Sequence, residues 1–181
     1  MTEELEVLTT VGRRLDALGV PYMITGSMAV NYYAVPRMTR DIDIVVELSG
    51  REAERLCQAF QDDFYVDRDA VRRAIDERGL FNLIHVASVV KVDFVVRKDS
   101  DYRRQEFARR RRIRVEDEEL TLVTPEDLII SKLDWARHSH SELQLADVRN
   151  VLASVPNLDE AYLAHWTGRL GLEALYHEVR R

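Results

Sequence analysis

Residues 22–46, YMITGSMAVNYYAVPRMTRDIDIVV, decide how this chain folds. Tyr22 to Thr25 is a short β-like run that ends in the small pair Gly26-Ser27. Met28 to Tyr33 then reads as a short apolar helix, broken near Pro36. Asp41 to Glu47 is a strand by its Ile and Val content. The order is strand, small-residue turn, helix, strand. Side chains at i and i+2 share one face of a strand, so Asp41 and Asp43 point together and Ile42 and Ile44 point the other way.

Working outward, Leu5, Leu8, Val11, Leu15 and Leu18 recur at helical spacing, and Gly19 followed by Pro21 stops that helix. Downstream, Arg51 to Phe60 is an amphipathic helix after the Ser49-Gly50 turn, and Asp69 to Glu77 is a second. Leu80 to Val86 and Lys91 to Val96 are β-rich runs close enough to form an antiparallel hairpin. Asp101 to Arg110 predicts a helix, and Arg112 to Val115 with Leu120 to Val123 a further hairpin. Thr124-Pro125-Glu126-Asp127 has the chemistry of a helix start: Thr as N-cap, Pro at N1, acids beside the positive dipole end. Helical stretches over Glu142 to Ser154, Leu158 to Trp166 and Gly171 to Val179 make the last third all α. A mixed sheet with a helical C-terminal part is the expected α/β (α+β) architecture.

In the Lys91-Val92-Asp93-Phe94-Val95 strand, Val92, Phe94 and Val96 form one apolar face and Asp93 lies on the other. A carboxylate inside an apolar run is costly unless a cation or donors satisfy it, and three such groups on neighbouring strands repel without a shared countercharge. Magnesium or manganese supplies that charge, and two such ions can clamp a triphosphate for in-line displacement. Gly26-Ser27 offers the matching phosphate cradle: no side chain at Gly, a hydroxyl, and free N–H groups at a helix start. Taken singly, a small-residue turn or a pair of acids at a strand end has an ordinary structural explanation as well. The combination in one order is what points to chemistry.

Composition bounds the rest. With 181 residues, 46% hydrophobic and 32% charged, and only 7 Gly and 4 Pro, the chain suits one globular unit with at most a small helical appendage. The single Cys57 permits neither an internal disulfide nor a thiolate metal site. Met1 to Asp16 lacks a signal-peptide apolar core and no run approaches the roughly 18 apolar residues of a membrane span, so a cytoplasmic protein without membrane contact is expected. Net charge is −6, yet Arg97 to Arg114 carries nine Lys/Arg against three Asp/Glu, a local +6 that leaves −12 elsewhere. Such a block suggests a phosphate-bearing partner on one face, although a solvated face is the commoner use.

Thr25-Gly26-Ser27, Thr39-Arg40-Asp41-Ile42-Asp43 and Lys91-Val92-Asp93 together resemble the motif of the nucleotidyltransferase superfamily, with its polymerase-beta-like fold. Lys91-x-Asp93 with Pro125-Glu126-Asp127-Leu128 and Lys132-Leu133 is similar, more narrowly, to the AbiEii-like branch, which includes toxins of toxin–antitoxin and phage-defence systems. The resemblance spans Tyr22 to Leu152. Thirteen residues separate Ser27 from Asp41, and no Arg-Gly follows the Gly-Ser turn, which sets the chain apart from small MNT-type antitoxins.

The resemblance implies a nucleotidyltransferase core over residues 1–124 with a helical subdomain, 125–181, packed on it. It implies that Asp41, Asp43 and Asp93 are catalytic and bind magnesium or manganese, and that Gly26, Ser27, Lys91 and Lys132 bind the nucleotide. The reaction implied is transfer of a nucleoside monophosphate from an NTP such as ATP to a hydroxyl acceptor on RNA, tRNA or protein, with a cognate toxin or antitoxin as partner. The rival readings are a non-catalytic, partner-binding antitoxin-type protein and a small-molecule (antibiotic) nucleotidyltransferase. Arg109 to Arg112, with Arg103, Arg104 and Arg114, offer phosphate contacts to RNA or a nucleotide, but next to Glu116 to Glu119 a solvated face is the more usual role of such a run. Tyr102, Phe107, Trp135 and Trp166 are expected to pack, His138 and His140 to lie in a loop, and Asp147 is a further candidate facing the cleft.

Overall fold

The computed structural model describes residues 2–181. Strands β1 (Tyr22–Thr25), β2 (Asp41–Val46), β3 (Phe64–Val66), β4 (Leu80–His85), β5 (Lys91–Val96), β6 (Arg111–Val115) and β7 (Glu118–Leu122) form one sheet in the order β3-β4-β5-β2-β1-β7-β6. The β2–β5 and β1–β7 pairs are parallel and the others antiparallel, so the sheet is mixed, as the sequence leads one to expect.

Alternation on β2 and β5 sorts the sheet into two faces. Ile42, Ile44, Val46, Val92, Phe94 and Val96 are buried on one of them. Helices α1 (Glu3–Leu18), α3 (Gly50–Phe60) and α4 (Arg68–Glu77) cover that face. Phe60 of α3 meets Phe94 edge-on at 6.4 Å between ring centroids, and Phe81 of β4 stacks on Phe94 at 5.0 Å. Burying such aromatic side chains contributes roughly 1.5–3 kcal/mol each. Gly12 of α1 is needed for close approach, because a Cβ there would lie 2.5 Å from Leu120 Cδ2.

The opposite face carries the acids and is covered only in part. Helix α2 (Gly26–Tyr33) packs there against α6 (Pro125–Ser139) and α7 (Glu142–Ser154), while α5 (Asp101–Arg109), α8 (Glu160–Leu170) and α9 (Glu173–Val179) complete the helical part. α6 begins as its sequence dictates: Thr124 Oγ1 accepts from the Asp127 N–H, and Pro125 occupies the first turn. Its Asp127 is fully buried, where Tyr162 and Thr124 donate hydroxyl hydrogen bonds to it at 2.6 and 2.7 Å and Arg109 pairs at 3.0 Å.

Three readings need correction. α6 runs on to Ser139, so His138 is helical and only His140, in the left-handed conformation with φ 52, ends the helix. Trp166 is buried, but Trp135 is 64% exposed because the buried stripe of α6 runs through Leu128, Ile129, Lys132, Leu133 and Ala136 and passes it by. β3 is an additional strand: three residues are too few to show alternation, and they pair with β4 at the sheet's edge.

Candidate active site

The β1–α2 turn is built around Gly26. Its φ of +61 lies in the left-handed region, and a Cβ there would lie 2.0 Å from Asp43 Oδ2. Both conditions demand glycine. The Asp43 carboxylate therefore rests directly against the backbone that opens α2, next to Ser27.

The strand register brings the remaining acids alongside. Asp43 stands opposite Asp93 on the parallel β2–β5 pair, and Asp41 stands opposite Lys91. The three carboxylates and the Lys91 ammonium thus share the face that Ile42, Ile44, Val92 and Phe94 turn away from. Lys91 Nζ lies 2.8 Å from Asp93 Oδ2 and 3.7 Å from Asp41 Oδ1, and this contact holds the Lys91 ammonium above its ordinary pKa. The second oxygen of Asp93, Oδ1, is buried and has no hydrogen-bond partner among the described residues. Burial, and then the Asp93 charge, push the Asp43 carboxyl above the usual carboxylate range.

This arrangement fits a divalent cation. It has hard oxygen donors, an orphaned buried carboxylate oxygen, and two adjacent acids whose repulsion lacks a full countercharge. Among the described residues, however, no three His, Cys, Asp or Glu side chains converge closely enough to hold a metal ion: the Lys91 ammonium stands between Asp93 and an Asp41 side chain that is 63% exposed.

Lys132, Asp147 and Arg37 form the adjoining wall. Lys132 is buried on α6, its Nζ donating to Asp147 Oδ2 at 2.8 Å and to Gln144 Oε1 at 2.7 Å. Burial draws its ammonium below the ordinary lysine value despite those partners. Asp147 also accepts two hydrogen bonds from Arg37, at 2.8 and 2.9 Å, and Arg37 Nη2 donates to Ser27 Oγ at 2.6 Å. The side chains of Ser27 and Lys132 are thereby joined through one buried acid. Arg37 was not among the residues the sequence singled out. It lies just after Pro36 in an irregular loop, where no periodicity marks it, and Asn31 fastens that loop by hydrogen bonds to the Arg37 backbone.

The basic block is arranged otherwise than expected for a phosphate track. Arg103 pairs with Glu106 and Asp134, Arg104 with Asp99 and Asp101, and Arg109 with Asp127 and Glu126. Arg112 pairs with Asp16 and Glu119, and Arg114 with Asp117. Most of these guanidinium groups neutralise the chain's own acids. Tyr102 and Phe107 are buried, as packing residues should be.

No family model and no curated protein sequence matches the chain. Solved structures do. An antigenic nucleotidyltransferase-like protein from Paracoccidioides brasiliensis superposes with a TM-score of 0.61 at 18% identity, covering 93% of this chain and 89% of that one. ANT(2″)-Ia in complex with adenylyl-2″-tobramycin gives 0.61 at 14% identity, covering 97% and 99%. The lincomycin-bound lincosamide antibiotic adenylyltransferase LnuA gives 0.54 at 14% identity, covering 86% and 98%. At these identities the likeness establishes the fold: the chain has the nucleotidyltransferase fold, with the mixed sheet and flanking helices expected of it.

Proposed function

We propose that the chain is a metal-dependent nucleotidyltransferase that moves a nucleoside monophosphate from an NTP to a hydroxyl acceptor. The observation that carries this reading is the Asp43–Asp93 pair, set opposite each other beside the Gly26 cradle with one buried carboxylate oxygen unsatisfied.

Magnesium or manganese held by Asp41, Asp43 and Asp93 would neutralise phosphate charge and favour ionisation of the acceptor hydroxyl. The chain's own residues supply the positioning. Gly26 leaves room for phosphate against the backbone, and the Ser27 hydroxyl and the N–H groups at the start of α2 face the β- and γ-phosphates. Lys132 and Arg37, joined through Asp147, add positive charge to the same wall. Lys91 balances the acids and is a further ligand for the nucleotide. Asp93 orients the acceptor hydroxyl and takes its proton. The acceptor oxygen then bonds to the α-phosphorus as the bond to the β-phosphate bridging oxygen breaks and pyrophosphate leaves.

For the acceptor, the internal pairing of the arginine block weighs against RNA, and two proteins of similar fold are described with antibiotic ligands or products. We therefore place the acceptor among hydroxylated small molecules. A toxin–antitoxin setting, with its cognate partner, rests on the sequence resemblance to the AbiEii-like branch.

The test is transfer of label from each of four NTPs, labelled at the α-phosphate, with magnesium or manganese. The acceptors are hydroxylated small molecules, total RNA and the protein itself, and Asp93→Asn is run in parallel. Label on a small molecule that disappears in Asp93→Asn supports the reading. NTP binding without label on any acceptor would favour the non-catalytic, partner-binding rival.

A further inference from the structure

Asp147 is the one acid of this wall, and the metal has no use for it. Its side chain on α7 is 3% exposed, and among the described residues its carboxylate accepts from two groups only: Arg37, through Nε and Nη2, and Lys132 Nζ. Two other buried acids of the helical part are satisfied differently. Asp127 takes hydroxyl hydrogen bonds from Tyr162 and Thr124, and Glu106 takes one from Ser131, in addition to their arginines. Those carboxylates join helix to helix through neutral donors as well as charge. Asp147 is held by the cations of the site alone.

Each of those cations has a neutral partner besides. Lys132 Nζ donates to Gln144 Oε1 at 2.7 Å, and Arg37 Nη2 donates to Ser27 Oγ at 2.6 Å. The loop that carries Arg37 is fastened separately from Asp147. Asn31 bonds to the Arg37 backbone, and Asn150, one turn further along α7, bonds to both the N–H and the carbonyl of Val35, at 3.3 and 2.8 Å. Neutral groups therefore support the placing of both cations, and what Asp147 alone brings to them is negative charge.

That charge has two opposed effects. Arg37 and Lys132 repel each other across the carboxylate they share, and Asp147 keeps them side by side. A polyphosphate at Ser27 draws on the same donors, because guanidinium and ammonium groups bond to carboxylate and to phosphate oxygens in the same way. A buried carboxylate next to an arriving anion is poorly screened, so its repulsion is strong. The group that assembles the cations is thus also the one that competes for them.

We propose that Asp147 is a resident counter-anion of the phosphate wall. It holds Arg37 and Lys132 ready before the nucleotide binds and competes with the polyphosphate for them afterwards, which lowers affinity for NTP and speeds the departure of pyrophosphate. The hydrogen bonds pass from the carboxylate to phosphate oxygens, and the protons stay on the two cations. Asp147 is a positioning residue that acts through Arg37 and Lys132. The inference rests on the transferase reading for what the wall binds.

The test is calorimetric titration of the full chain with magnesium–pyrophosphate and magnesium–tripolyphosphate, probes that carry neither base nor acceptor. Asp147→Asn should bind both about tenfold more tightly than the wild type, and in the Arg37→Ala background it should restore affinity that Arg37→Ala alone loses. Asn150→Ala, which loosens the same loop without a change of charge, should not tighten binding. Equal or weaker binding by Asp147→Asn in both backgrounds would make Asp147 a fastening of the fold, and tightening by Asn150→Ala would assign the effect to loop freedom; either overturns the inference. A measurement on the wild type keeps it open to refutation if Asp147→Asn does not fold. The NMR signals of the Asp147 carboxyl carbon and the Arg37 Nε–H should both move when tripolyphosphate binds, and signals that stay in place with the probe bound would overturn it equally. If the wild type binds neither probe and none of the four NTPs with magnesium, it is the transferase reading that fails.

Discussion

Arg37 and Asp147, 110 positions apart in sequence, meet through two hydrogen bonds at 2.8 and 2.9 Å. The contact joins the loop before β2 to α7, and Arg37 passes it on to the Ser27 hydroxyl. A planar guanidinium suits this task because its fork engages both carboxylate oxygens and still has a donor for a third group. The phosphate-facing turn is thus tied to the helical part by an ion pair whose acid is almost fully buried.

Arg37→Ala removes this tie and leaves Lys132 as the partner of Asp147. Loss of a hydrogen bond to a charged group costs about 1.5–3 kcal/mol, so magnesium–NTP affinity should fall at least tenfold while the fold survives. Arg37→Lys keeps the charge but not the fork and should recover only part of the loss. Calorimetric titration with NTP, beside circular-dichroism melts, checks both.

Asp147→Asn should act mainly on stability. Burial alone would raise the Asp147 pKa, but hydrogen bonds from Arg37 and Lys132 outweigh it and hold the carboxyl below its usual range. An acid depressed in the folded state contributes stability that is present above its unfolded value of about 3.9 and lost as pH falls through the lower, folded value. The variant should therefore be less stable by about 3 kcal/mol near neutrality, and the gap should close as pH drops below about 4. Urea denaturation at stepped pH measures it; a gap that stays constant with pH would refute the assignment of Asp147 as the ionised partner.

The common side of Asp41 and Asp43 was legible in the sequence because strand periodicity is two, whereas the placing of Asp93 beside Asp43 follows only from the parallel pairing of β2 with β5. Gly26-Ser27 was legible as a turn, but the demand for glycine comes from Asp43, a neighbour that sequence proximity does not supply. Arg37 left no signal because loops have no period and its partner lies on a distant helix. Lys132 is ambiguous in sequence for a related reason: its neighbours Ile130 and Leu133 explain the helix whether or not the lysine is buried. The arginine block misleads because composition counts charges but not their partners, and acids drawn from α1, α6 and β7 take up several of them.

Gly26→Ala tests the cradle. The added Cβ meets Asp43 and forces a side chain into a left-handed conformation, at a cost of about 1–2 kcal/mol for the backbone alone. Magnesium–NTP binding should be lost even where the protein remains folded. Combining Gly26→Ala with Asp43→Ala removes the clash and should recover part of the melting temperature but no transfer activity. If the double variant melts no higher than Gly26→Ala, the close contact between the two residues is not what limits stability.

Asp43→Asn should separate stability from function. Asp43 is raised by burial first and by Asp93 second. For an acid raised in the folded state the sign is opposite to that of Asp147: ionisation at neutral pH opposes folding, and the penalty disappears as pH falls and the carboxyl takes up its proton. In chelator at pH 7 the amide should melt higher than the wild type by roughly 2–4 °C, and the two should converge in acid. Magnesium should then stabilise the wild type and not the variant, since ligand binding to the native state raises stability by mass action. Transfer should fall by about a hundredfold or more. A variant that melts lower than the wild type in chelator would mean that Lys91 and Lys132 already supply the charge the acids need, and the case for a metal at Asp43 and Asp93 would lose its electrostatic basis.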